Sequence, residues 1–144
     1  MFTFRLDPLI AIRDNKLKEC QAELAKAHDA RRILEEALQE VEKQLAAGVT
    51  TARDLMQEGQ TVNVEYLLGL RRQEQFLRLD QDDLMQKIKI VDEEIERRQN
   101  AVVVANKELK IVEKLKEKRY EKYLEDENKQ ETKAMDEIAV NRRT

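Results

Sequence analysis

Apolar residues near the start of the chain recur every seven positions, which is the spacing of one edge of a coiled-coil seam. This series consists of Ile10, Leu17, Leu24, Leu38 and Leu45, and Arg31 occupies its one remaining position. A second series, offset by three residues, consists of Arg13, Cys20, Ala27, Leu34 and Val41. Together they predict an amphipathic helix whose apolar stripe packs against a partner helix.

The same three- and four-residue steps return in the second half of the chain, so the chain supplies its own partner helix. This ladder consists of Leu67, Leu70, Leu77, Leu84, Ile88, Val91, Ile95, Val102, Ala105, Leu109 and Val112. We therefore predict an all-α fold, in which two long helices form an antiparallel coiled-coil hairpin with a C-terminal helical overhang. The expected helices span about 7–58 and 64–140 around a turn at about 59–63, in a single domain covering 1–144.

Signals for helix ends agree with these bounds. Asp7 can cap a helix that begins at Pro8, because proline suits the first helical position. Gly59 can adopt the left-handed conformation that ends a helix. Either Thr61 or Asn63 can cap the next helix.

Gly48 is the one weak point inside the first predicted helix. A glycine there costs about 1 kcal/mol relative to alanine. Ala52, Leu55 and Met56 keep the apolar rhythm beyond it, which favours one continuous helix. The alternative is that the first helix ends at Gly48 and a nearby threonine caps a short second piece.

A turn near residue 60 also predicts which residues face each other, because facing residue numbers should add up to about 120. Leu45 is then opposite Leu77, Leu38 opposite Leu84, Leu24 opposite Ile95, and Ile10 opposite Ile111 or Val112. Arg31 should lie opposite residues 90–94, where Glu93 or Glu94 could pair with it. It either holds the register or extends its charged head to solvent.

The second arm is longer than the first, so nothing remains to pair with it beyond Lys118. The expected overhang, residues 119–144, is highly charged. Its apolar residues are Tyr120, Tyr123, Leu124, Met135, Ile138 and Val140. Such a segment is either a frayed, solvated end or a surface for another protein.

Composition narrows the functional classes. Charged residues make up 40% of the 144 residues and aromatic residues 4%, which suits a narrow apolar stripe better than a broad core. The net charge of -3 argues against nucleic acid as a partner. No apolar run is long enough to span a membrane, so we expect a cytoplasmic protein.

The side chains that carry chemistry are too few for an enzyme. His28 is the only histidine and Cys20 the only cysteine, and neither has a companion at ligand spacing. Because Cys20 lies on the predicted seam, we expect it to be a small buried thiol. The three glycines are too scattered to cradle a phosphate. We therefore expect no catalysis, cofactor, metal or small-molecule substrate, and look for function on surfaces.

Both ends of the chain resemble one family. The opening stretch, FRLDPLIAIR at residues 4–13, resembles the start of the flagellar export protein FliJ family. The closing stretch is similar to that family's end, with LKEKR at 115–119, then Tyr123, MDEIA at 135–139 and the Arg142-Arg143 pair. Related injectisome stalk proteins share the layout, but the opening looks more flagellar.

The resemblance implies a stalk that inserts into the hexameric ring of the type III export ATPase and touches the cytoplasmic domain of the export-gate protein. Export chaperones are further implied partners, and contact with the membrane is only peripheral, at its inner face through the apparatus. The candidate ATPase-binding residues are Phe4, Leu6, Arg13, Arg119, Tyr123, Asp136, Glu137, Arg142 and Arg143. The candidate gate-binding residues are Tyr66, Leu67, Leu68 and Leu70.

A function of a different class is also compatible with the pattern. A structural coiled-coil spacer, or a homodimeric scaffold or chaperone with no motor partner, would use the same apolar seam between two chains. The hairpin uses that seam within one chain, so the two hypotheses differ in oligomeric state.

Overall fold

A computed structural model describes residues 1–57, 61 and 63–143. The fold is all-α, and its two long helices, α1 (Asp7–Leu55) and α2 (Val64–Arg143), pack against each other as a hairpin. The predicted fold class is thereby confirmed. Gly59, the residue predicted to end the first helix, lies outside the described residues.

The ends of α1 follow from local hydrogen bonds. The Asp7 amide donates to the Phe4 carbonyl over 3.1 Å, and the Leu9 and Ile10 amides donate to the Leu6 carbonyl over 2.9 and 3.2 Å. The helix continues through Gly48 and ends at Leu55, three residues before the predicted end at 58.

Asn63 caps the N-terminus of α2. Its side-chain oxygen accepts hydrogen bonds from the backbone amides of Glu65, at 3.1 Å, and Tyr66, at 3.3 Å. These amides have no partner inside the helix, which is the need that a capping residue meets. Of the two predicted caps, Thr61 and Asn63, the structure uses Asn63.

The seam between the helices contains the residues that the spacing predicts. Every member of the predicted apolar series on both helices is buried or half-buried. The most deeply buried are Ala27, Ile95, Ala105, Leu109 and Val112. The others are half-buried, because a two-helix seam is open to solvent along both sides.

The chain divides into two compact units, each containing part of both helices. Unit 1 comprises Met1–Gln21 and Asn100–Thr144, and unit 2 comprises Ala22–Gln99. The prediction of a single domain is not tested by this division and stays a prediction.

Two interhelix ion pairs define the register in unit 1. Arg13 Nη1 lies 2.7 Å from a Glu108 carboxylate oxygen, and Lys116 Nζ lies 2.8 Å from an Asp7 carboxylate oxygen. The residue numbers in these pairs add up to 121 and 123, within three of the predicted value. As one number rises the other falls, so the helices of unit 1 run antiparallel.

Unit 2 has the same register. Arg31 Nε lies 2.6 Å from Asp92, and Arg98 Nη1 donates to the Glu23 carbonyl over 2.6 Å. These residue numbers add up to 123 and 121. Arg31 therefore faces the predicted segment and pairs there.

The predicted partner of Arg31 is wrong. Asp92 holds it in place of Glu93 or Glu94, together with Glu35 of its own helix. Glu94 is engaged on α2 itself, 2.6 Å from Arg97 and 2.7 Å from Arg98. These two hydrogen bonds, the one from Arg97 being the stronger influence, hold the pKa of Glu94 below its ordinary value of 4.5.

Candidate functional site

An N-terminal arm, residues 1–6, precedes α1 in unit 1 and folds onto α2. Phe4 is only 6% exposed. The Phe2 ring lies edge-on to Tyr120, with ring centroids 5.2 Å apart, and tilted against Tyr123 at 5.4 Å. Such aromatic contacts stabilise beyond the area they bury.

The arm corrects the predicted start of the overhang. Sequence counting left α2 without a partner beyond Lys118, but Phe2 reaches Tyr120 and Tyr123. The reason is geometric: an extended segment advances about 3.3 Å per residue and a helix about 1.5 Å, so a few arm residues cover several of α2. The segment in which every side chain is exposed begins after Tyr123, and we call residues 124–143 the tail.

The arm and α2 line an open hollow of about 620 Å³, which we call the arm pocket. Its lining residues are Met1, Phe2, Thr3, Phe4, Arg5, Arg119, Lys122, Tyr123 and Asp126. Three residues predicted to bind the ATPase, namely Phe4, Arg119 and Tyr123, are thus brought into one site. The sequence pattern alone did not identify Arg5 or Lys122 as members of it.

The surroundings of Tyr123 in the arm pocket shift the pKa of its phenol. A hydrogen bond with the Glu127 carboxylate raises the pKa of Tyr123 above its ordinary value of 10.0, and partial burial acts in the same direction. The phenol therefore stays neutral at physiological pH and presents a polar hydroxyl beside its ring.

Leu6 and Arg13 lie apart from the arm pocket lining. Leu6 is half-buried at the start of α1. Arg13 is half-buried on the seam and held by Glu108, and its Nε is buried without a hydrogen-bond partner in the described part of the chain. Its position on the seam suits a structural contact between the helices better than a contact with another protein.

The tail carries the remaining predicted ATPase-binding residues. Asp136 and Glu137 line a shallow hollow of about 430 Å³ together with Lys133, Val140 and Asn141. Arg142 and Arg143 lie in the last turn of α2. Cations at this position interact favourably with the helix dipole.

Three of the four predicted gate-binding residues line a second site, in unit 2. A cleft of about 320 Å³ forms between α1 and α2 near Asn63, and we call it the tip cleft. Leu67, Leu68 and Leu70 line it, with Gly48 opening space because nothing lies within 4 Å of where its Cβ would be. Tyr66 is exposed and is not among the lining residues.

Two exposed apolar residues on α2 were not among the predicted site residues. Phe76 is 70% exposed and Leu79 is 65% exposed, and they lie three residues apart, on one face of the helix. The neighbouring seam positions are Glu74, Leu77 and Gln81. Phe76 falls between the first two of these and Leu79 between the last two. That spacing is a signal that the sequence already contained.

Comparison with known proteins identifies the family. A family model described as "Flagellar FliJ protein" matches residues 1–143. The chain belongs to the flagellar FliJ protein family. Membership implies a component of the flagellar protein export apparatus. No curated protein and no solved structure gives a significant match.

No group of three or more His, Cys, Asp or Glu side chains is arranged to hold a metal ion among residues 1–57, 61 and 63–143. Within the same part of the chain, neither helix contains a stretch that is long and apolar enough to cross a membrane.

Proposed function

We propose that this protein is a non-enzymatic stalk of the flagellar type III export apparatus, which inserts into the export ATPase ring, promotes its assembly and activity, and links it to the export gate. Family membership over residues 1–143 carries the proposal. The proposed location is the cytoplasm, at the inner face of the cell membrane through the apparatus. Export chaperones are further partners in this proposal.

Unit 1 supplies the proposed ATPase-binding surface. Both chain ends belong to this unit, and it contains the arm pocket and the tail. All twenty side chains of residues 124–143 are exposed. A helix of this length that buries nothing within the chain has a surface available for a larger partner.

Unit 2 supplies the proposed gate-binding surface. Tyr66 and Leu68 are each about half exposed at the start of α2, beside the half-buried Leu67 and Leu70. Exposed aromatic and leucine side chains next to a cleft are typical of protein interaction sites.

Stimulation of the purified export ATPase tests the proposal. Adding the folded protein should raise the rate of ATP hydrolysis and the fraction of assembled hexamer. Replacing Arg142 and Arg143 by alanine should weaken that stimulation and leave the circular dichroism at 222 nm nearly unchanged. A matched variant with Arg53→Ala and Arg72→Ala, two exposed arginines of unit 2, should stimulate like the wild type. A folded sample without any effect on the ATPase would contradict the proposal.

Binding to the cytoplasmic domain of the export gate tests the second contact. Tyr66→Ala combined with Leu68→Ala should weaken binding of that domain and leave ATPase stimulation intact. Met85→Ala, which removes an exposed apolar side chain elsewhere on α2, is the control and should bind normally. Equal binding by all three proteins would remove Tyr66 and Leu68 from the interface.

A further inference from the structure

The charge of the arm pocket differs from that of the chain. Three cations, Arg5, Arg119 and Lys122, line it with a single carboxylate, Asp126. The chain as a whole is acidic, with a net charge of -3. The arm pocket is therefore a local basic site on an acidic protein.

These cations also lack the ion pairs that hold other cations of unit 1. Arg13 and Lys116 each lie within 3 Å of a carboxylate on the opposite helix. Among the described residues, no ion pair within 4 Å involves Arg5, Arg119 or Lys122. Cations that are already placed around a pocket, without internal partners, favour binding of an anionic group.

The apolar part of the arm pocket limits what that anionic group is. The half-buried Phe2 and Tyr123 line the pocket, so it offers rings as well as charges. Interfaces between proteins combine aromatic anchors with arginine in this way. A segment with several carboxylates and one apolar side chain matches both features.

A protein segment fits better than an anionic membrane. Asp126 lines the arm pocket, Glu127 is hydrogen-bonded to the lining residue Tyr123, and the tail continues with further carboxylates. A flat anionic surface large enough to touch all three cations would also meet these carboxylates. Helices that lie on membranes have a predominantly basic polar face.

We infer that the arm pocket binds an acidic segment of a protein partner, with Arg5, Arg119 and Lys122 pairing its carboxylates and the Phe2 and Tyr123 rings packing on an apolar side chain. The identity of the partner as the export ATPase rests on the proposed function. The chemistry of the segment rests on the arm pocket alone.

A synthetic peptide probe tests the chemistry directly. The probe is a short peptide of alternating glutamate and serine around a central phenylalanine, added to the ¹⁵N-labelled full chain. Amide shifts should concentrate at residues 2–5 and 119–123, and the affinity should fall as salt screens the charges. The same peptide with glutamine in place of glutamate should give no such shifts. Equal shifts with both peptides, or none with either, would overturn the inference.

Charge reversal supplies a matched control. Arg5→Glu, Arg119→Glu and Lys122→Glu together should weaken peptide binding by at least about tenfold. Lys107→Glu, Lys110→Glu and Lys114→Glu change the net charge equally on α2 and should bind like the wild type. Circular dichroism confirms that both variants are folded. Equal losses in both variants would mean that net charge alone matters, which also overturns the inference.

Two further arms separate the competing outcomes. Vesicles containing phosphatidylserine that bind the chain more tightly than the peptide does would overturn the inference in favour of a membrane surface. Wild-type protein that binds the peptide but does not stimulate the ATPase would refute the proposed function and leave the acidic partner to be another protein. If the wild type does not bind the peptide, and the variant with Arg5, Arg119 and Lys122 changed to glutamate stimulates the ATPase normally, this inference alone is refuted.

Discussion

Leu109 and Ile111 lie two residues apart on α2, and truncation to alanine should destabilise the protein much more at Leu109 than at Ile111. Leu109 is on the seam and 6% exposed, whereas Ile111 is off the seam and 67% exposed. Both belong to unit 1, in the same helix and with the same number of side-chain carbons. The pair therefore compares a buried and an exposed side chain of equal size in one part of the same helix.

The expected magnitudes follow from that burial. Leu109→Ala removes three buried carbons at about 0.8 kcal/mol each, so the transfer loss is about 2.4 kcal/mol. Leucine-to-alanine changes in cores cost about 2–5 kcal/mol, and the open sides of a two-helix seam let the cavity fill, which places this one at about 2–3 kcal/mol. Ile111→Ala loses about a third of that transfer term and regains part of it through the higher helix propensity of alanine, leaving about 0–0.5 kcal/mol.

Urea unfolding followed by circular dichroism at 222 nm measures both values. The urea midpoint should fall for Leu109→Ala with an unchanged slope, because the surface exposed on unfolding hardly changes. The melting temperature should fall by about 5–10 °C for this variant and by less than about 2 °C for Ile111→Ala. Similar losses for the two variants would refute the assignment of the seam in unit 1.

Three further changes test individual contacts. Arg31→Glu and Asp92→Arg should each lower the urea midpoint at low salt. The double exchange should recover only part of the loss, since Glu35 still repels a glutamate at position 31. A double variant that is no more stable than the less stable single variant would contradict an interhelix pair. Asn63→Ala should destabilise α2 by about 1 kcal/mol while Asn63→Asp keeps the cap, and a loss of helicity in both variants would argue against capping. The folded-state pKa of Glu94 is depressed below its ordinary value of 4.5. The contribution of this carboxylate to folding stability should therefore be complete above pH 4.5 and disappear as the pH falls through the lower folded-state pKa. Glu94→Gln should flatten that part of the plot of urea midpoint against pH. An unchanged plot would show that this carboxylate does not contribute to stability.

The spacing of apolar residues predicted the seam because burial along a two-helix contact depends on periodicity alone. Positions such as Leu24 and Ile95 needed only the three- and four-residue rhythm to be identified. Predicting the antiparallel register required one more observation, the position of the turn. The sums of the paired residue numbers in the structure lie within three of the predicted sum. Spacing and turn position are local properties of the sequence, and for that reason they could be read from it.

The contacts that sequence analysis missed depend on side-chain direction or on irregular backbone. Asp92 and not Glu94 pairs with Arg31, because a register error of one or two residues changes which side chain flanks the seam. The packing of Phe2 on Tyr120 depends on the path of a non-helical arm, for which periodicity gives no rule. The arm pocket could not be predicted for the same reason.

The apolar ladder by itself does not determine the register. With residue numbers that add up to about 122, Leu38 lies opposite Leu84. Sliding one helix by seven residues would place Leu38 opposite Leu77 or Val91 instead, and both are apolar seam residues. The leucines of unit 2 therefore stabilise three registers to a similar degree, since a heptad repeat is unchanged by a heptad shift.

The charged residues on the seam remove that ambiguity. In the observed register Arg98 meets Glu23. The same slides would place Arg98 opposite Ala30, which removes its contact with a carboxylate of α1, or opposite Lys16, which adds a like-charge repulsion. Polar residues at seam positions commonly select one arrangement among several, at some loss of stability. The register of unit 2 is therefore selected by ionic partners and stabilised by leucines, and a variant with Arg98→Leu should become more tolerant of a slipped pairing even if it is no less stable.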